Sequence, residues 1–161
     1  MEPLEVPGSL DYLQEIRQYV ASAAQEAGLE RREASLKRAV DEIATNIITH
    51  GYNEVGLEGN IYLEAKIDCE SLDIVLEDTG IPFDPTKRET VTGETLRELL
   101  ENLDPGGWGL YLAKEAVDDW RYERVGDRNR NILIVNRTNG LTRLKCCFRK
   151  ICQTLLGQQL H

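Results

Sequence analysis

The stretch Asp41–Tyr52, DEIATNIITHGY, constrains this chain more than any other. At about 100° per residue it reads as a helix, with Leu36, Val40, Ile43 and Ile47 on one face and Glu42, Asn46 and His50 in a row along the flank. Because the polar row borders the apolar one, a carboxylate, a carboxamide and an imidazole can line a cavity wall while the helix stays anchored in a core. Polar residues four apart also describe an ordinary solvated face, and the segment alone leaves both readings open.

The rest of the chain has to supply that core. With 161 residues, 41% of them hydrophobic, and only short Gly/Pro punctuation, one globular domain is expected. A formal charge of −9 argues against nucleic-acid binding, which needs clustered Lys and Arg to neutralise phosphates. The opening residues carry no basic segment followed by an apolar run, and no window is long enough to cross a bilayer, so a cytoplasmic protein without a membrane span is expected. Cys69, Cys146, Cys147 and Cys152 form no C-x-x-C pair and read as reduced thiols rather than a disulfide framework or a zinc site.

Punctuation and periodicity then order the elements. Leu4 to Val6 reads as a short edge strand, Ser9 as the cap of a helix running to about Ala27, and Gly28 as its stop. A second helix runs from about Glu30 to His50, and Gly51 to Gly59 is a loop. Asn60 to Asp68 alternates strictly, Leu72 to Glu77 repeats the pattern, and the two should pair as an antiparallel hairpin. Ile81 to Pro105 reads as a mobile connection with a helical insert around Leu96, Leu99 and Leu103. Gly106-Gly107-Trp108-Gly109 leads into a helix over LYLAKEAVDD, followed by strands at about Trp120 to Val125 and Asn131 to Arg137, joined by the polar turn Gly126 to Arg130. This order predicts a two-layer α/β sandwich, a mixed, mainly antiparallel sheet with helices on one face.

Beyond residue 140 the composition changes. Leu141, Leu144, Phe148, Ile151 and Leu155 recur at helical spacing, and Arg143, Lys145, Arg149 and Lys150 are the charged residues among them. The segment 141–161 carries +4, which leaves −13 on residues 1–140. It reads as a cationic amphipathic tail on an acidic body, folded back as a surface helix, packed on a homodimer partner or offered to an outside partner.

Three short motifs carry possible chemistry. Glycines at a helix start let backbone N–H groups approach an anion, and the helix adds its positive end, so Gly106, Gly107 and Gly109 suit a di- or triphosphate. Asp78, at a strand end before Thr79-Gly80, offers a carboxylate to an exocyclic amine beside backbone that a flat ring can approach. Asn46 supplies a neutral oxygen of the kind magnesium accepts when phosphates complete its shell, and Glu42, one turn earlier, can deprotonate an attacking hydroxyl.

In fixed order, Glu42 and Asn46 with His50 and Tyr52, then DTGIPFDP from Asp78 to Pro85, then GGWGLYLAKEAVDD from Gly106 resemble the GHKL ATPases, whose domain is the Bergerat ATP-binding fold. Within that superfamily the chain looks most like the bacterial serine-kinase anti-sigma factors. The resemblance covers roughly residues 5 to 138. It implies ATP and magnesium as cofactors, Glu42 as the catalytic acid, Asn46 as the magnesium ligand, and nucleotide contacts at Asn46, Asp78, Gly80, Gly106, Gly107, Trp108, Gly109 and Leu110. It further implies a lid over residues 86–105, phosphorylation of a serine on a small anti-sigma antagonist, and sequestration of a sigma factor in the other partner state. The chain departs from the pattern at Trp108, where the family has a small aliphatic residue, and at Asn131-Ile132, where it often has Gly-Thr. A non-catalytic module that only sequesters its partner is the alternative.

Overall fold

The structure is a computed structural model that describes residues 1–87 and 105–137. The expected helical insert near Leu96 and the tail beyond residue 140 lie outside the described residues.

Five strands, β1 (Leu4–Pro7), β2 (Asn60–Ile67), β3 (Ser71–Asp78), β4 (Asp119–Val125) and β5 (Arg128–Asn136), form one sheet in the order β1-β2-β3-β5-β4. Every described pairing is antiparallel. Three helices, α1 (Leu13–Glu26), α2 (Glu33–Asn46) and α3 (Pro105–Glu115), complete the layer, with α2 packed between α1 and α3. This is the expected two-layer sandwich. Alternation decides its register: Ile61 and Leu63 of β2, Leu72, Ile74 and Leu76 of β3, and Leu133 and Val135 of β5 all enter one core with Ile16 and Val20 of α1 and Leu36, Val40 and Ile43 of α2. Burying a Leu or Ile there contributes roughly 1.5–3 kcal/mol each, so a one-residue slip of β3 would forfeit several such terms at once.

Local signals behave as their chemistry dictates. The Ser9 side chain accepts from the Asp11 N–H at 3.4 Å, capping a 3-10 turn that leads into α1. Gly28 stops the run at φ +70°, a conformation that only a residue without Cβ adopts cheaply. Since β1 is short and pairs with β2 only from Asn60 to Leu63, the Ala65 N–H beyond it donates instead to the Tyr19 hydroxyl at 2.9 Å.

Four details differ from the sequence expectation. The second helix is α-helical only to Asn46 and continues as a π turn, Ile47–Tyr52. Widening the helix there puts Tyr52 inward, where its ring fills the space that a Cβ on Gly8 or Gly59 would take, at 2.7–2.8 Å, and its hydroxyl donates to the Asn60 carbonyl. The glycines of the GGWG run lie inside the first turns of α3 rather than ahead of it; Pro105 opens that helix, where a missing N–H costs nothing. β5 starts at Arg128, three residues early, because the connection from β4 is only Gly126-Asp127, with Gly126 at φ +62°. Cys69, read as a thiol, is disulfide-bonded, since sequence separation says nothing of which sulfurs meet in space.

Candidate nucleotide site

The C-terminal end of α2 and its π turn, the end of β3 and the start of β5 converge on one cleft enclosing about 540 Å³ of space open to solvent. Ile43, Asn46, Ile47, His50 and Gly51 form one wall, Asp78 and Asn129 the floor, and Ile81, Pro82, Phe83, Pro85 and Leu110 the apolar remainder, with Asn131 beside them. A mostly apolar slot with a few convergent polar groups is the usual form of a site for a flat heterocycle.

Asp78 stands at the end of β3 and is 4% exposed. Its Oδ1 accepts from the Gly80 N–H at 2.8 Å and from the Asn129 side-chain amide at 2.7 Å, and among the described residues its second oxygen accepts nothing. Burial pushes the carboxyl above the ordinary carboxylate range, while the Asn129 and Gly80 hydrogen bonds and the nearby Arg124 guanidinium pull the other way. An acid whose folded pKa exceeds its unfolded value holds its proton more tightly in the folded chain, so ionising Asp78 removes stability as pH rises through the interval between those values. Recognition of an amine runs oppositely, because the second oxygen accepts freely only when it carries no proton.

Asn129 was not picked out in the sequence, where it falls in a polar turn. In the fold it faces Asp78 across the β3–β5 pair and is 3% exposed. Its Nδ2 also donates to the Gly80 and Ile81 carbonyls at 3.2 Å, and its Oδ1 accepts from the Tyr122 hydroxyl at 2.7 Å and Arg124 at 2.8 Å. Asn131, two residues on, accepts from Trp120 Nε1 at 3.2 Å. The signal that could have found Asn129 was a polar residue continuing the inward parity of Leu133 and Val135.

Gly80 is required sterically. A Cβ there would lie 2.9 Å from the Gly51 carbonyl oxygen and 3.0 Å from Asp78 Oδ1. We expect Gly80→Ala to cost roughly 1–3 kcal/mol through overpacking, a melting shift of roughly 3–10 °C. Gly51→Ala, whose Cβ meets nothing closer than 3.8 Å, should melt close to wild type, and scanning calorimetry of both distinguishes contact from loss of glycine as such.

On the opposite wall, the Asn46 side chain has no hydrogen-bond partner among the described residues, and its Nδ2 is fully buried. The orphaned Nδ2 is a donor and suits a phosphate oxygen or water, while the carboxamide oxygen is the atom a hydrated ion that takes few protein ligands would accept; no cluster of three or more His, Cys, Asp or Glu among the described residues offers a fuller cage. Glu42 has no hydrogen bond there either; its carboxylate lies against α3, where a Cβ on Gly109 would overlap it. His50, at the rim, pairs with Glu54 at 2.8 Å. The fold therefore brings Asn46, Asp78 and Leu110 to one cleft, sets Gly80 beneath it, and lays Glu42 on Gly109 at its edge. Gly106 and Gly107 are placed by backbone alone, in the first turn of α3.

Residues 6–136 match the family model described as the histidine kinase-like ATPase domain. Among curated proteins, the serine-protein kinase RsbW of Oceanobacillus iheyensis is 31% identical over 118 residues, covering 72% of this chain and 74% of the relative. Serine-protein kinase RsbW of Bacillus subtilis (strain 168) is 29% identical over 122 residues, covering 74% and 76%, and that of Bacillus cereus (strain AH187) is 29% identical over 118, covering 72% of each.

Proposed function

Since the chain belongs to the histidine kinase-like ATPase family, we propose that it is a magnesium-ATP-dependent serine-protein kinase that acts as an anti-sigma factor. The observation that carries the nucleotide reading is Asp78: a buried carboxylate at the floor of a flat apolar cleft, its orientation held by Gly80 and Asn129, with one oxygen left to accept from an adenine amine.

The remaining roles follow from position. The close approach of Gly80 to Gly51 leaves flat backbone beside the ring. Asn46 would hold a magnesium ion, which supplies charge neutralisation to the phosphates when bound. The backbone N–H groups in the first turns of α3, with the positive end of that helix, receive phosphate oxygens. Glu42 accepts the proton of an incoming serine hydroxyl. The substrate is a serine on a small antagonist protein and the sequestered partner a sigma factor; the protein acts in the cytoplasm as a homodimer, contacting no nucleic acid directly. No described helix is long and apolar enough to cross a membrane. One observation favours the sequestering module without catalysis: Glu42 is not among the residues that line the cleft.

Magnesium-ATP should change tryptophan emission, because Trp108 lies between two of the α3 glycines in sequence and Trp120 bonds the cleft residue Asn131. Titration calorimetry is the direct check. Heat with ATP and ADP supports the reading, while no heat at high protein concentration removes the kinase and leaves the sequestering module.

A further inference from the structure

The backbone that follows Asp78 is gripped from two sides. Of three consecutive N–H groups, that of Thr79 donates to the Tyr52 hydroxyl at 3.1 Å, that of Gly80 to Asp78 Oδ1 at 2.8 Å, and that of Ile81 to the Gly51 carbonyl at 3.4 Å. From the β5 side, Asn129 Nδ2 takes the Gly80 and Ile81 carbonyls, each at 3.2 Å. The partners of Thr79 and Ile81 thus both belong to the π turn that continues α2 beyond Asn46. Tyr52 is itself held in place. It is 1% exposed, its ring occupies the slot between Gly8 and Gly59, and the Gly8 N–H closes that slot by donating to the Gly59 carbonyl at 2.8 Å. Its single O–H is given to the Asn60 carbonyl at 2.9 Å, so toward Thr79 the hydroxyl acts as an acceptor. Tyr52 is not among the residues that line the cleft.

We propose that Tyr52 is a positioning residue for base recognition: its hydroxyl fixes the Asp78–Thr79 peptide, and through it the direction in which the free Asp78 oxygen meets a purine amine. This role rests on the cleft being a nucleotide site. The Thr79 nitrogen shares a rigid plane with the Asp78 carbonyl, so a hydroxyl bonded to that N–H restrains rotation about the Asp78 Cα–C bond. Rotation there would carry the Gly80 N–H off Asp78 Oδ1 and remove one of the two donors that orient the carboxylate. The same clasp reaches the opposite wall. Asn46 ends α2 and leads directly into the π turn, so Tyr52 and Gly51 set the spacing between the Asp78 floor and the Asn46 side of the cleft. A π turn supplies both contacts at once, because the widened backbone lets the Gly51 carbonyl and the Tyr52 ring face the end of β3 together.

Tyr52→Phe tests this, since it keeps the ring in its slot and deletes only the oxygen. By titration calorimetry of the full chain, it is expected to weaken magnesium-ATP binding about 3–10-fold, the range of one neutral hydrogen bond. In an Asp78→Asn background the same change is expected to cost less than about 2-fold, because the carboxylate that Tyr52 positions is gone; a purely structural role would cost the same in both backgrounds. Equal ATP affinity in wild type and Tyr52→Phe, or an equal loss in both backgrounds, overturns the positioning role while leaving the nucleotide reading intact. No heat with wild type overturns both. Should Tyr52→Phe fail to fold, an ester in place of the Asp78–Thr79 peptide deletes that N–H with every side chain retained. It is expected to weaken ATP binding by the same factor, and an unchanged affinity overturns the proposal.

Discussion

Glu42→Gln is expected to slow single-turnover phosphorylation of the antagonist roughly 10²–10⁴-fold at saturating ATP, while ATP affinity stays near that of wild type. The split follows from where Glu42 sits. It lies one helical turn before Asn46 but is not part of the cleft lining, so the nucleotide can bind without it. Its carboxylate rests against Gly109, and glutamine, of the same shape, keeps that contact while losing the ability to take a proton from a serine hydroxyl. A small antagonist that copurifies from native extract is the substrate to use. Equal rates for the two proteins would make Glu42 a packing group on α3, and no transfer by wild type would make sequestration alone the better account. Asn46→Ala provides the contrast: there magnesium-dependent binding and transfer should fall together.

The second large effect is at Asp78. Asp78→Asn should weaken ATP binding by about 10–100-fold, since a hydrogen bond to a charged acceptor is worth roughly 1.5–3 kcal/mol. The loss cannot be repaired by turning the amide over. Gly80 N–H and Asn129 Nδ2 both donate to the Oδ1 position, so the new carbonyl oxygen must stay there and the new NH2 must face the adenine amine, donor against donor. The same geometry predicts a relative gain for a 6-oxopurine triphosphate, whose oxygen accepts from that NH2. Calorimetry with ATP and inosine triphosphate on both proteins checks it; a parallel loss for the two nucleotides would show that Asp78 does not read the purine edge. In wild type, affinity for ATP should decline as pH falls below the raised pKa of Asp78, and in Asp78→Asn that decline should be absent.

Much of this architecture was legible in local pattern. The alternation of Ile61, Leu63 and Ala65 against Tyr62 and Glu64 decides which side of β2 is buried, because side chains on a strand repeat every two residues. Leu36, Val40 and Ile43 mark the buried face of α2, and with it the flank that carries Glu42 and Asn46. Gly28 and Ser9 bound the first helix through backbone chemistry that needs no distant partner. Asp78 was legible as a strand-end carboxylate before a glycine.

Other features depended on groups far apart in sequence. Asn129 looked like a turn residue because its neighbours are polar; pairing of β5 with β3 puts it opposite Asp78, and burial there turns it into the donor that orients the carboxylate. The π turn at Ile47–Tyr52 exists where Gly8 and Gly59 leave room for the Tyr52 ring, a fit between three separated segments. The glycines after Pro105 read as a break, yet they join α3, where the absence of a Cβ on Gly109 makes room for Glu42. Sequence alone determined the order of the described elements and their buried faces, because periodicity, capping and glycine backbone freedom act within a few residues. Only the tertiary structure decided which polar groups meet, because an antiparallel register and the close approach of two backbones join residues whose separation along the chain carries no distance information.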